Sequence, residues 1–185
     1  MNFKIQANKP LSLLVNDNGL FFWKDVVNHV KKLPYGRNSN RYDLGLVIQE
    51  EKGSCSSKHA FLAEIAKENS ITSIELILGI YKMNSDNTAI GDTLINAGVA
   101  YIPEAHCYLK INGTRLDITS ENTAFDTIKK DILLEKVIVP NQVSEFKVIF
   151  HKQFIKDWIK KEKSNMSFAD IWTLREKCIT YLSQN

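Results

Sequence analysis

The dipeptide Asn112-Gly113 constrains this chain more than any other feature. Both residue types tolerate positive φ, which a two-residue hairpin turn requires if its twist is to match the strands it joins. The flanking segments, 105–111 and 114–118, alternate apolar and polar residues, so the pattern predicts two antiparallel strands. A two-residue turn also sets the register. Ile111 then faces Thr114, Tyr108 faces Asp117, and His106 faces Thr119. Paired and alternate residues share a face, so His106, Tyr108, Asp117 and Thr119 point one way. Asp117 becomes a diagonal neighbour of His106, within reach of a carboxylate–imidazole hydrogen bond. Cys107 points the other way and packs inward with Leu109 and Ile111.

The second strong signal is Gly53-Ser54-Cys55. Ser54 predicts the cap of a helix running through Asn69, with Phe61, Leu62, Ile65 and Ala66 as its buried stripe. Cys55 then lies in the first turn. There the unpaired backbone N–H groups and the positive end of the helix dipole favour a thiolate and lower its pKa. Gly53 lets the chain turn sharply and lets another group approach the sulfur.

The remaining pattern is simpler. The first fifteen residues read as extended before the Asn-Asp-Asn-Gly break at 16–19. Residues 20–33 show helical spacing in Phe22, Val26, Val27, Val30 and Leu33, and Pro34 ends them. Residues 35–43 form a long polar loop, and 46–48 a short element. Residues 72–82 read as a central strand, 84–92 as a loop, and 93–103 as ambiguous. Beyond the hairpin the pattern looks mostly helical. Phe146, Ile149, Phe150, Phe154 and Trp158 fit one helix face, and Ser167 with Asp170 starts a last helix through Leu182. Glu104 reads as the solvated end of a strand. His29 and His151 read as surface or packing residues, and Cys178 as a core residue. Lys160 to Lys163 reads as a solvated helix end.

A helix-start cysteine, a strand histidine and an aspartate on the adjoining strand occur in the order of the transglutaminase-like superfamily. Gly53-Ser54-Cys55 resembles its G-x-C at the nucleophile helix. Ala60, Leu62 and Ala63 resemble its small and apolar helix positions. His106-Cys107-Tyr108 resembles its H-x-aromatic strand, and Leu116-Asp117-Ile118-Thr119 its closing D-x-T. The likeness covers roughly residues 50–120. The chain departs from the pattern in a short His-to-Asp interval and in Asn69-Ser70 where a glycine usually follows the helix.

The resemblance implies an α+β fold with a papain-like core, the nucleophile helix packed on an antiparallel sheet, and extra C-terminal helices. It implies thiol-dependent acyl transfer, or amide or peptide hydrolysis, through Cys55, His106 and Asp117 and a thioester acyl-enzyme. The substrate it implies is a peptide, protein or small-molecule acyl donor. Tyr35, Asn38, His59 and Tyr108 are candidates for the oxyanion site or the cleft wall. The competing expectation is a binding or scaffolding domain that keeps the fold without turnover.

Composition bounds these readings. The chain has 185 residues, and 44% are apolar and 24% charged, which suits a single domain with a core about 20–139 and a helical extension 140–185. A net charge of +3 is too small to argue for nucleic acid. No apolar run approaches the roughly 18–20 residues of a membrane span. The start lacks a signal-peptide core, and three cysteines do not close into pairs, so a reducing cytoplasm is expected. No cofactor is implied. Cys55, His59, His106 and Cys107 do not suit a shared metal, since adjacent strand residues point to opposite faces.

Overall fold

A computed structural model describes residues 1–122, 125–162 and 165–184. Among these residues the chain is α+β, with four strands in an antiparallel sheet of order β3-β2-β1-β4. These strands are β1 (Ile74–Met83), β2 (Ile102–Ile111), β3 (Thr114–Leu116) and β4 (Ile132–Ile138). The helices are α1 (Pro10–Asp17), α2 (Trp23–Lys32), α3 (Leu46–Gln49), α4 (Cys55–Glu68), α5 (Glu145–Glu162) and α6 (Phe168–Gln184). No helix among the described residues is long and apolar enough to cross a membrane.

The chain divides into two compact units. One holds Met1–Leu78, Cys107–Phe125 and Lys136–Ser144, and the other Gly79–His106, Asp126–Glu135 and Glu145 onward.

In the first unit α4 is the central helix. Its side chains Ala60, Phe61, Leu62 and Ile65 are fully buried. It packs against α1, α2, α3 and the short 3-10 turn Pro140–Val143. Its start is a reciprocal cap: the Ser54 hydroxyl accepts from the Ser57 N–H, and the Ser57 hydroxyl accepts from the Ser54 N–H. The hairpin forms as expected. Asn112 and Gly113 have φ of 48° and 84°, and Leu109, Lys110 and Ile111 pair with Leu116, Arg115 and Thr114. The ladder stops there with β3 ending at Leu116, so the expected pairs Tyr108–Asp117 and His106–Thr119 are not part of it.

In the second unit α5 packs on α6. The Ser167 hydroxyl donates to Asp170 at 2.7 Å, and the Asp170 N–H returns to Ser167 at 3.2 Å, as the capping pattern predicts. Cys178 is fully buried. Lys160 and Lys161 are exposed, while Lys163 lies outside the described residues.

Four expectations need correction. Residues 10–17 are helical, because Pro10 suits the first helical turn and Leu11, Leu14 and Val15 share a helical face. The segment after the hairpin contains strand β4, where a mostly helical stretch was expected. On α5 the fully buried positions are His151 and Ile155, while Ile149 is exposed. Glu104 is no solvated strand end: it is 5% exposed and ion-paired with Arg175.

Candidate active site

The candidate nucleophile turn is built from three segments of the first unit. Cys55 opens α4 and is 8% exposed. Just before it, Gly53 forms a parallel bridge with Tyr35. The Gly53 N–H donates to the Pro34 carbonyl at 3.1 Å, and the Gly36 N–H to the Gly53 carbonyl at 3.3 Å. The polar loop after α2 is therefore stitched to the approach of the nucleophile helix.

The third segment is Asp117-Ile118-Thr119, and α4 grips it with two adjacent side chains. Lys58 donates from Nζ to the Thr119 carbonyl at 2.8 Å and to the Leu33 carbonyl at 2.5 Å. His59 accepts the Ile118 N–H at Nε2, 2.9 Å away. A backbone N–H is always the donor, so Nε2 is the unprotonated nitrogen of a neutral ring. Nδ1–H then donates to the Cys55 carbonyl at 2.7 Å. His59 thus ties the first turn of α4 to the segment that carries Asp117.

Asp117 is 6% exposed and held by its own turn. Its Oδ1 accepts from the Thr119 N–H at 3.0 Å and from the Thr119 hydroxyl at 2.7 Å. Its distance to His59 Nε2 is 3.7 Å, too long for a hydrogen bond.

Gly53 is needed for a reason that spacing alone does not reveal. A Cβ there would lie 2.8 Å from Lys58 Cγ and 3.0 Å from Ser57 Oγ. Gly53→Ala therefore displaces the Lys58 stem and the cap together, and we expect a loss of about 1–3 kcal/mol in urea unfolding. An unchanged midpoint would show that the stem yields freely.

The other sequence candidates fall as follows. His59 and Tyr108 are fully buried. Tyr108 packs its ring on Phe125, 4.8 Å between centroids. The Asn38 amide nitrogen lies within hydrogen-bond range of the Leu46 carbonyl, the Lys52 carbonyl and the Glu50 carboxylate, closing its own loop. His106 belongs to the second unit and is half-buried near the middle of β2. Its ring meets the edge of Tyr81, with centroids 6.0 Å apart. Among the described residues no group of three or more His, Cys, Asp and Glu side chains is placed to hold a metal ion.

Lys58 was the site residue missed. One local signal existed: a lysine in the first turns of a helix opposes the helix dipole and calls for compensation elsewhere. Here the ammonium meets the carbonyl of Leu33, the C-cap of α2, where that dipole favours a cation. Comparison with known proteins adds nothing to this geometry: no family model, curated protein or solved structure matches the chain.

Proposed function

We propose that this protein is a cysteine-dependent acyl transferase or amide hydrolase of transglutaminase-like type, built on a papain-like core. The observation that carries the reading is the grip of Lys58 and His59 on residues 117–119. It fastens the aspartate's segment to the turn that begins with Cys55. The order of residue types along the chain supplies the rest.

Cys55 is the nucleophile, His106 the base and Asp117 the orienting carboxylate. His106 takes the Cys55 proton. The thiolate attacks an amide or ester carbonyl, and the Cys55 N–H stabilises the oxyanion. Collapse forms the thioester and expels the leaving group, protonated by His106. Water or an amine then attacks the thioester, gives its proton to His106, and releases Cys55. Tyr35, bridged to Gly53, is the candidate for the second oxyanion donor. The other face of His59 chemistry, a base role, is disfavoured because both its ring nitrogens are hydrogen-bonded.

The test is iodoacetamide labelling of each cysteine against pH, read by peptide mass spectrometry. Burial pushes the Cys178 thiol up to about 11, which sets an internal reference. We expect Cys55 to react at least about tenfold faster than Cys107 and Cys178 at neutral pH, with the profile moving upward in His106→Ala. An inert Cys55, or one indifferent to His106, overturns the reading and leaves a binding domain in its place.

A further inference from the structure

We infer that Lys58 is a positioning residue of this site, whose buried ammonium fixes the Asp117–Thr119 turn and supplies positive charge to the Cys55 thiolate. The inference rests on the acyl-transfer reading and deepens it.

The geometry is specific. Lys58 is fully buried, yet its Nζ reaches two backbone carbonyls, Leu33 at the end of α2 and Thr119 at the end of the Asp117 turn. Thr119 is the residue whose N–H and hydroxyl both hold the Asp117 carboxylate. A displaced ammonium therefore leaves that segment held to α4 by the His59 bond to Ile118 and frees its Thr119 end, where the carboxylate is oriented. The stem of Lys58 runs over Gly53, where any side chain would collide with it.

A buried ammonium is costly unless anions and carbonyls compensate it. The charged groups that act on it are Asp117 and Cys55. Burial pushes the Lys58 pKa down to about 8, while attraction to Asp117 and to the Cys55 thiolate pushes it back up. Lys58 thus remains charged at neutral pH. Electrostatic coupling is reciprocal, so a thiolate that stabilises the ammonium is stabilised by it to the same extent. No lysine is needed for the bare chemistry of a thiol, an imidazole and a carboxylate. Its place is to set the thiolate fraction and the carboxylate's position.

The experiment compares the pH profile of Cys55 alkylation in wild type, Lys58→Met and Lys58→Arg. In Lys58→Met the Cys55 profile moves upward by roughly one pH unit, about tenfold in labelling at neutral pH. Lys58→Arg restores part of it by keeping the charge. An unmoved profile in a folded Lys58→Met overturns the inference while His106→Ala still tests the reading itself. A second measurement needs no change at Lys58. The Nζ titration of Lys58, followed by NMR, should move down in Cys55→Ser, where the thiolate is gone. A Lys58 titration identical in Cys55→Ser and wild type overturns the inference even if Lys58→Met fails to fold.

Discussion

Arg175→Ala costs about 3–5 kcal/mol in urea unfolding, the range for removing one partner of a buried ion pair. Glu104 is buried, and Arg175 meets it with a two-point grip: Nε donates to Oε2 at 2.7 Å, and Nη2 donates to Oε1. His151 completes the cluster, with Nε2 at 2.8 Å from the Pro103 carbonyl and 3.7 Å from Glu104 Oε2. Trp172 floors it, its ring centroid 5.4 Å from both the His151 ring and the Arg175 guanidinium. Removing the guanidinium leaves a carboxylate in a site with little water, which is the costly half of breaking a buried pair. Glu104→Gln combined with Arg175→Met should recover much of the loss, since no lone charge remains. A loss below about 1 kcal/mol for Arg175→Ala would mean that the pair is reached by solvent.

The same cluster sets an acid limit. Burial alone would raise the Glu104 pKa, but Arg175 and His151 outweigh it and hold it down to about 2, against 4.5 for a free side chain. A depressed carboxyl pKa contributes stability that is full above about 4.5 and is lost as pH falls toward 2. Burial also lowers the His151 pKa, only partly opposed by Glu104. The fold thereby favours the neutral ring over the charged one, so stability falls as pH drops below its ordinary 6.5. Both groups therefore weaken the fold on the acid side. Wild type should lose stability in two stages below neutrality, and Glu104→Gln should flatten the second stage.

What the sequence revealed depended on how local the cause was. Helix α4 and its cap were legible because the Ser54 hydroxyl caps an N–H of the turn that directly follows it, while the reciprocal bond from Ser57 emerged only with the fold. The hairpin register was legible because a two-residue turn fixes it from within. Strand β4 was not, since Ile-Leu-Leu-Glu-Lys-Val-Ile satisfies helical and extended patterns alike, and only its place beside β1 decides. Helix α1 was misread because Leu11, Leu13, Leu14 and Val15 form a dense apolar run that hides the helical spacing. Lys58 and Glu104 were illegible for a different reason. Their partners lie 25, 61 and 71 residues away, so beyond the dipole conflict of a lysine early in a helix, nothing beside them in sequence names the groups that compensate them. The buried stripe of α4 shows the same limit, because Lys58 and His59 interrupt it with polar groups whose partners at Leu33, Ile118 and Thr119 only the tertiary fold supplies.

Asp117→Asn should lower turnover of an activated ester or thioester by about 10²–10⁴-fold, the range over which losing an orienting carboxylate disables a base–nucleophile pair. The substitution is close to isosteric. The asparagine Oδ1 can still accept from the Thr119 N–H and hydroxyl, and the grip of His59 on Ile118 does not involve the carboxylate. What changes is charge. The Asp117 negative charge attracts the Lys58 ammonium and would stabilise an imidazolium formed on the base. Asp117→Ala is the control, because it removes the charge and both Thr119 bonds. If Asp117 acts through its charge, the two variants lose similar amounts of turnover, while only Asp117→Ala loosens the turn, seen as faster hydrogen exchange at the Thr119 amide. If turnover survives in Asp117→Asn and falls in Asp117→Ala, the carboxylate is a turn-former alone. The candidate triad would then reduce to Cys55 and His106, with Lys58 as its principal fixed charge.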